Sequence, residues 1–368
     1  MKPIKIPYAL TILTPFHIGR GEELDPFSIV IHNNYLYRLN QLEFIHYLLQ
    51  EKEKEFKKVM YIGNIVAIQQ FFQQNFNPEI KNTWFYYYPL TPDTATDYIN
   101  KINSGVNQGL INEFIRNTAL YQPYIPGSSI KGSIRTAILS SLQDSKNIKL
   151  NQEQSNDPEV QAILLNYWNY ERQMADIPSD PFKFIKFADI PFKNEWLTLL
   201  KVEIKNLPTE EKPKKPQIPL DKKSKTEPAI PLFMELGLSA REPRILHSEL
   251  TINITDKSNP GIKKLLPENE KSMPDFIRMI KNYYKTQFYK EKTVIENFPP
   301  LKDAYKNLDK YFQYVERKEN ECIIRLGFGS GKNYCTYAML NYSPKSRKVV
   351  QNLPLGWFKM TFDLKSIK

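Results

Sequence analysis

The chain has 368 residues, with 51 Lys and Arg against 40 Asp and Glu, a formal charge of +11. Hydrophobic residues make up 41% and aromatics 13%, enough for a packed interior, which excludes wholesale disorder. No apolar run reaches the ~20 residues of a membrane span, and the first residues, MKPIKIPYALTILTPFHIG, lack a small-residue cleavage site.

Cys322 and Cys335 are too few for a disulfide scaffold or a four-ligand zinc site. His17, His32, His46 and His247 show no paired metal spacing, so neither a metal nor an organic cofactor is expected. Low cysteine use points to the reducing cytoplasm. The basic balance favours an anionic partner such as nucleic acid, although many basic proteins owe such a balance to solubility.

Residues 5–13 are rich in β-formers and predict a strand. Residues 27–38 predict a hairpin turning at Asn33-Asn34. From 41 to 76 the pattern changes: Leu42, Ile45, Leu48 and Leu49 recur at helical spacing, EKEKEFKK forms a solvated face, and a second helix covers Ile65 to Phe76. Residues 77–107 read as loop with short strands. Residues 110–116 predict a strand, and a helix follows from about Ser129 to Leu142. Residues 143–160 are polar and poorly patterned, and strands are expected over 183–190 and 196–204.

Residues 205–231 hold six prolines and no glycine among Lys and Glu, which reads as an extended linker or mobile loop. Strands near 231–237 and 245–255, helices near 272–290 and 301–317, a strand ECIIRLG and a final strand near Trp357 to Leu364 complete the chain. The expected class is α+β with an antiparallel, ferredoxin-like (RRM-like) sheet and helical insertions. The expected division is an N-terminal half, 1–204, with an inserted helical segment at about 41–107. The 205–231 linker and a C-terminal half, 232–368, follow.

Three strings carry candidate chemistry. In PYIPGSSIKGSIRTAIL, Ile130, Ile134, Ala137, Ile138 and Leu142 form one apolar stripe. Pro126-Gly127 ends what precedes, and Ser128 or Ser129 is a natural N-cap. A helix start offers N–H groups and partial positive charge to a phosphate. Lys131 and Arg135 add two cations, and Gly132 admits a close backbone. The plainer alternative is a capped helix with two solvated basic residues.

In TPFHIGRGEELDPF, Gly19 and Gly21 allow tight geometry after a strand, flanked by His17 and Arg20. An imidazole there suits stacking on a base or shuttling a proton; a hydrogen-bonded turn histidine is the structural alternative. In RLGFGSGKNY, Gly327, Gly329 and Gly331 alternate, with Ser330 between them and Arg325 and Lys332 on either side. Leu326 stands where a Walker A loop needs glycine and Asn333 where it needs Ser or Thr. The third glycine comes one residue early for a dinucleotide fingerprint. ATPase and NAD-enzyme readings are rejected; a loop that hugs a sugar-phosphate backbone is retained beside a ligand-free tight turn. The tail from Asn341 carries Lys345, Arg347, Lys348, Lys359, Lys365 and Lys368 against Asp363 alone. Tyr342, Trp357 and Phe358 are interleaved, a mixture that suits single-stranded nucleic acid. On strand patterning, Trp357 and Phe358 are expected to pack inward.

A strand ending in PFHIGRG, then YIPGSSIKGSIRTAIL, then a late LGFGSG loop resembles the RAMP superfamily of CRISPR RNA-binding proteins. Within it the likeness is to the subunit-five branch of type III-A (Csm) effector complexes. The resemblance implies a ferredoxin-like core and a non-catalytic place at the head of a ribonucleoprotein complex. It implies contact with the 3′ part of the CRISPR RNA, the target RNA and the backbone RAMP subunits. A part in CRISPR RNA maturation and antiviral defence follows. The RNA-binding positions it implies are His17, Gly19, Arg20, Gly127, Ser128, Ser129, Lys131, Gly132, Arg135, Arg325, Gly327, Gly329, Ser330, Gly331 and Lys332. In ADIPF, Ala188 stands where relatives carry serine, so Asp189 receives no role. The alternatives are a metal-independent RAMP endoribonuclease using His17 and Lys131, and a backbone-type subunit cutting target RNA, for which Asp25 is the nearest carboxylate. A third alternative is a protein-interaction subunit docking through 41–76 and 205–231.

Overall fold

The computed structural model describes residues 3–103, 109–148, 154, 157–207, 232–238, 244–253, 265, 272–296, 298–331, 334 and 346–366. Most of the 205–231 stretch, and with it Lys332, Cys335, Tyr342, Lys345 and Lys368, lies outside the described residues.

The central sheet has the spatial order β10 (Ile185–Phe187), β14 (Ile245–Ile252), β1 (Ile4–Ile12), β18 (Trp357–Phe362), β15 (Glu321–Arg325). All neighbours are antiparallel. Helix α5 (Gly127–Ser145) lies between β1 and β10 in the chain. Helices α7 (Met273–Ile295) and α8 (Pro299–Glu316) lie between β14 and β18. Taken in chain order as strands one to four, β1, β10, β14 and β18 are arranged 2-3-1-4, the ferredoxin-like split β-α-β, with β15 as an outer addition. Alternation explains β1: Ile6, Tyr8, Leu10 and Ile12 are buried, while Lys5 is exposed and Pro7 and Ala9 are half-buried; only at its end, where Thr11 is buried too, are both faces covered. The α5 stripe is buried as its spacing dictates, with Ile130, Ile134, Ala137 and Ile138 fully enclosed.

A second sheet has the order β17 (Leu353–Pro354), β16 (Ser346–Val350), β12 (Leu197–Asn206), β13 (Leu232–Gly237), β6 (Ile111–Phe114), β2 (Gly19–Leu24). Only β13 and β6 pair in parallel. The turn from β1 into β2 therefore ties the two sheets together. Two short pairs accompany them: β7 (Tyr124–Ile125) with β11 (Ile190–Pro191), and β8 (Trp168–Asn169) with β9 (Met174–Ala175), beside α6 (Pro158–Leu164).

A three-stranded sheet, β3 (Ile29–His32), β4 (Tyr35–Leu39), β5 (Trp84–Pro89), carries the insertion helices α1 (Gln41–Glu51), α2 (Glu53–Ile62) and α3 (Ile65–Asn75). Asn33 and Asn34 take φ of 50° and 60°, the left-handed pair that a two-residue hairpin requires. Ile29, Ile31, Leu36 and Tyr88 join the main core. Val30 and Tyr37, on the opposite face, form a separate cluster with Phe44, Leu48, Phe72 and Phe76.

Three expectations need correction. The stretch 77–107 holds β5 and a full helix, α4 (Pro92–Asn103). Its signal was Thr91-Pro92: the Thr91 hydroxyl accepts from Thr94 N–H, and proline opens the first turn. Residues 181–184 are 3-10 helix, because Asp180 accepts from Phe182 N–H and only 185–187 pair as strand. The basic tail is not all surface: Trp357 and Phe358 are core residues, as their strand patterning predicted, and Arg347 is buried.

Candidate nucleic-acid interface

The three sequence motifs are neighbours in space. Phe328 N–H of the glycine loop donates to the His17 carbonyl at 2.8 Å, and Gly356 N–H donates to Pro15 at 2.8 Å. From the same turn, the Ile18 carbonyl accepts from Ile115 N–H at 2.8 Å, and the Ile115 carbonyl accepts from Tyr124 N–H at 3.4 Å. Tyr124 stands three residues before α5. The Gly327 loop and the His17 turn are thus one hydrogen-bonded spacing of about 5 Å apart, and the helix start lies two such spacings and then three residues along from that turn.

Their side chains do different work from the one their motifs suggest. His17 is 3% exposed. Its Nδ1–H donates to the Glu235 carbonyl at 2.8 Å, and its Nε2 faces Gly19, where an added Cβ would lie 2.6 Å away. Burial, partly offset by Glu235, holds the imidazole below its usual pKa, so it is neutral at physiological pH. That is the turn histidine of the structural alternative, and its ring is not presented for base stacking or proton transfer. Arg20 is exposed and pairs with Glu22 at 2.7 Å.

Glu235, fully buried, organises the region below. Both its carboxylate oxygens accept from Arg116 Nη2 at 3.1 Å, and one accepts from Phe114 N–H at 2.8 Å. Tyr86 donates to Glu235 at 3.3 Å, and Arg116 lies over the Tyr86 ring at 3.6 Å. Burial first, then the Glu235 charge, raises the Glu113 pKa. Sequence reading missed Arg116, Glu235 and Tyr86. The signal was present in charged residues on otherwise apolar strands, LINEFIR and LFMELG, where a buried charge demands a partner.

Helix α5 begins at Gly127 with Pro126 as N-cap, so Ser128 and Ser129 lie inside the first turn and are not the cap. Gly127 N–H donates to Asp189 Oδ1 at 2.7 Å. Asp189, to which the motif assigned nothing, thus anchors the helix start. Arg135 is not a solvated cation: it forms a bidentate pair with Asp180 at 3.0 and 2.9 Å and lies over Phe182 at 5.0 Å. Lys131 is half-buried and Gly132 exposed, with no atom within 4 Å of a Cβ added there. Among the described residues no backbone therefore exploits Gly132. Gly132→Ala is expected to raise stability by up to about 1 kcal/mol, the helix-interior difference between the two residues, in denaturant melts.

The glycine loop is shaped by its fit to the fold. Gly327 has φ of 80° and packs on the His17 carbonyl, where a Cβ would lie 2.2 Å away. Gly329 packs on Leu355 and Gly331 on Arg347. Ser330 is buried and its hydroxyl donates to Gly327 at 2.7 Å. Arg325 is 2% exposed; its Nη1 pairs with Glu291 at 3.2 Å and its Nε donates to Leu355 at 3.0 Å. The expectation that Arg325 flanks a phosphate loop is corrected: the guanidinium is core. Lys332 lies outside the described residues. Asp25 accepts from Phe27 N–H at 2.8 Å as the cap of a 3-10 turn.

What faces solvent in this neighbourhood is Gly19, Arg20, Ser128, Gly132 and Gly327, with Lys131 partly so. Beside the helix start opens a cleft of about 440 Å³ lined by Arg116, Asn117, Gln122, Tyr124 and Asp189 among others. Its lining is mostly polar, which suits hydrogen bonding to a sugar, phosphate or base edge. Among the described residues no group of three His, Cys, Asp or Glu is placed to hold a metal ion. No described helix is long and apolar enough to cross a membrane.

The family model of the RAMP superfamily matches residues 9–334. The chain belongs to the RAMP superfamily, in keeping with its ferredoxin-like sheet and its IPGSSIKG helix start. Among curated proteins it is 25% identical over 356 residues to the "CRISPR system Cms protein Csm5" of Methanocaldococcus jannaschii, covering 89% of this chain and 72% of the relative. It is 26% identical over 198 residues to the protein of the same name from Streptococcus thermophilus, covering 52% of this chain and 53% of that one. Among solved structures it resembles a chain of the Csm–crRNA–target RNA ternary complex of a type III-A CRISPR-Cas system, with TM-score 0.63, 18% identity and coverage of 97% and 100%. It also resembles the T. onnurineus Csm5 crystal structure, with TM-score 0.57, 19% identity and coverage of 95% and 99%. These two likenesses concern the fold.

Proposed function

We propose that this chain is the subunit-five component of a type III-A Csm effector complex, acting as a non-catalytic RNA-binding protein. Its partners are the CRISPR RNA, chiefly the 3′ part, the target RNA and neighbouring backbone RAMP subunits. It contributes to CRISPR RNA maturation and antiviral defence in the cytoplasm. The observation that carries this reading is the shared name of both curated relatives, one matched along 89% of this chain. The hydrogen bonding of the glycine loop to the His17 turn, and the polar cleft beside the helix start, support it. The RNA contacts belong to the exposed part of that surface: Gly19, Arg20, Ser128, Ser129, Lys131, Gly132, Gly327 and the backbone of the glycine loop. His17, Arg135, Arg325 and Ser330 shape it from within. In the same proposal, residues 1–204 carry the inserted segment at about 41–107; its helices α1 to α3 share an apolar cluster with Val30, Tyr37 and Leu39, while Tyr86, Tyr88, Ala95 and Tyr98 join the main core.

Lys131 is the informative position. Arg135 has a structural partner, so its loss would confound binding with folding. Lys131→Ala is expected to weaken RNA binding several-fold and to reduce the slope of log affinity against log salt by about 0.7, the counterion equivalent of one phosphate on a single strand. Filter binding across a salt series measures both. Unchanged affinity and slope would remove the helix start from the interface. Incubation of the isolated protein with repeat RNA tests the catalytic alternative, and intact RNA is the expected result.

A further inference from the structure

The basic tail and its aromatics, read from the sequence as one single-strand binding element, come apart in the fold. Trp357 and Phe358 go into the core, but Lys359 on the same strand is partly exposed. Helix α8 supplies aromatics in their place. Tyr311 and Tyr314, three residues apart on one helix face, are 41% and 49% exposed. They line a cleft of about 650 Å³ together with Thr14, Asn307, Lys310 and Lys359. The Lys318 and Lys359 ammonium groups each lie 5.4 Å from the Tyr314 ring centroid. Lys310 donates to Asn307 at 3.2 Å, which holds its charge at the cleft wall. The residues lining the cleft include two lysines and no carboxylate; Glu321, which pairs with Lys359 at 3.2 Å, is buried and lies outside that lining.

We infer that this cleft is a second binding site for single-stranded RNA, in which bases stack on Tyr311 and Tyr314 and phosphates meet Lys310, Lys318 and Lys359. Exposed tyrosines flanked by cations are the chemistry that takes an unpaired strand without regard to sequence. The lining also includes Leu13, Ala304, Leu308 and Leu353, so the cleft joins apolar walls to two lysines and no carboxylate, a combination that suits bases carried on a polyanionic backbone. The cleft is linked to the first site through the chain, along the buried stretch from Thr14 to His17. Thr14 lines the cleft, accepts from Trp357 N–H through its hydroxyl at 3.0 Å, and stands three residues before His17. The inference rests on the RNA-binding reading above and extends the path of the RNA beyond the motif cluster.

The test uses the full chain and a labelled oligouridylate of about 20 nucleotides, long enough for more than one stacking site. Tyr311→Ala with Tyr314→Ala is expected to weaken binding at least tenfold, the scale of one lost base stack. Tyr311→Phe with Tyr314→Phe is expected to stay within about twofold, because the ring faces remain. The alanine pair and Lys131→Ala should multiply their effects if the two sites act independently. Both tyrosines are exposed, so thermal melts of these variants should match the parent. If Lys131→Ala weakens binding and the alanine pair does not, the second site is refuted and the first stands. If the parent chain binds no RNA, both fall. If the alanine pair binds RNA normally but fails to join the assembled complex, the cleft is a protein-docking face and the inference is overturned.

Discussion

Glu291→Ala is expected to destabilise the protein by about 3–5 kcal/mol, the cost of leaving buried charges uncompensated. Glu291 is fully buried on α7 and sits between two guanidiniums. Arg325 approaches from β15 at 3.2 Å, Arg347 donates from β16, and Tyr305 donates from α8. Four elements therefore meet at one carboxylate, and removing it strands two cations in the interior. Burial alone would raise the Glu291 pKa, but Arg325 and Arg347 overcome it and hold the group at about 2 against an ordinary 4.5. A carboxylate lowered in the folded state stabilises fully above its unfolded pKa. That stability is lost as the pH falls from about 4.5 towards 2, and the difference is worth about 3 kcal/mol. Urea melts at pH 7 and pH 3 should show the parent weakening in acid. Glu291→Gln, which cannot ionise, should weaken by less over the same interval.

Gly127→Ala is expected to cost about 2–3 kcal/mol and to weaken RNA binding as well. An added Cβ would lie 1.9 Å from the Phe187 carbonyl oxygen and 2.6 Å from its carbon, backbone atoms that a side-chain rotation cannot move aside. The helix start must then withdraw from the 187–189 segment, and with it goes the Gly127 bond to Asp189. Denaturant melts together with the salt-series binding assay check both effects. Gly132→Ala, five residues along the same helix, is the control for the stability measurement, since no described atom lies within 4 Å of a Cβ added there. Full stability in Gly127→Ala would show that the helix start is not held as described.

The local grammar of the chain carried most of the elements. The Asn33-Asn34 hairpin, the α5 stripe and the alternation of β1 each depend on neighbours within a few residues, and each folded as read. Helix α4 was missed because its apolar positions, Ala95 and Tyr98 with Ile99 and Ile102 behind them, are thin and surrounded by Asp, Thr and Asn. Packing of those four against the main core outweighs weak intrinsic propensity.

The sequence by itself determined the superfamily, through the order of three short motifs, and the ferredoxin-like arrangement that the family implies. Only the tertiary structure decided which motif residues face outward. Arg325, Arg135 and Arg116 look alike as letters, each a cation beside an apolar run. Their fates rest on carboxylates 34, 45 and 119 residues away in the chain: Glu291, Asp180 and Glu235. A charge enters the interior only where a partner offsets its desolvation, and periodicity within one segment carries no record of a partner on another. Lys131, on the same helix as Arg135, has no such carboxylate at bonding distance among the described salt bridges and is half-buried, which is why the proposed RNA contact is tested there.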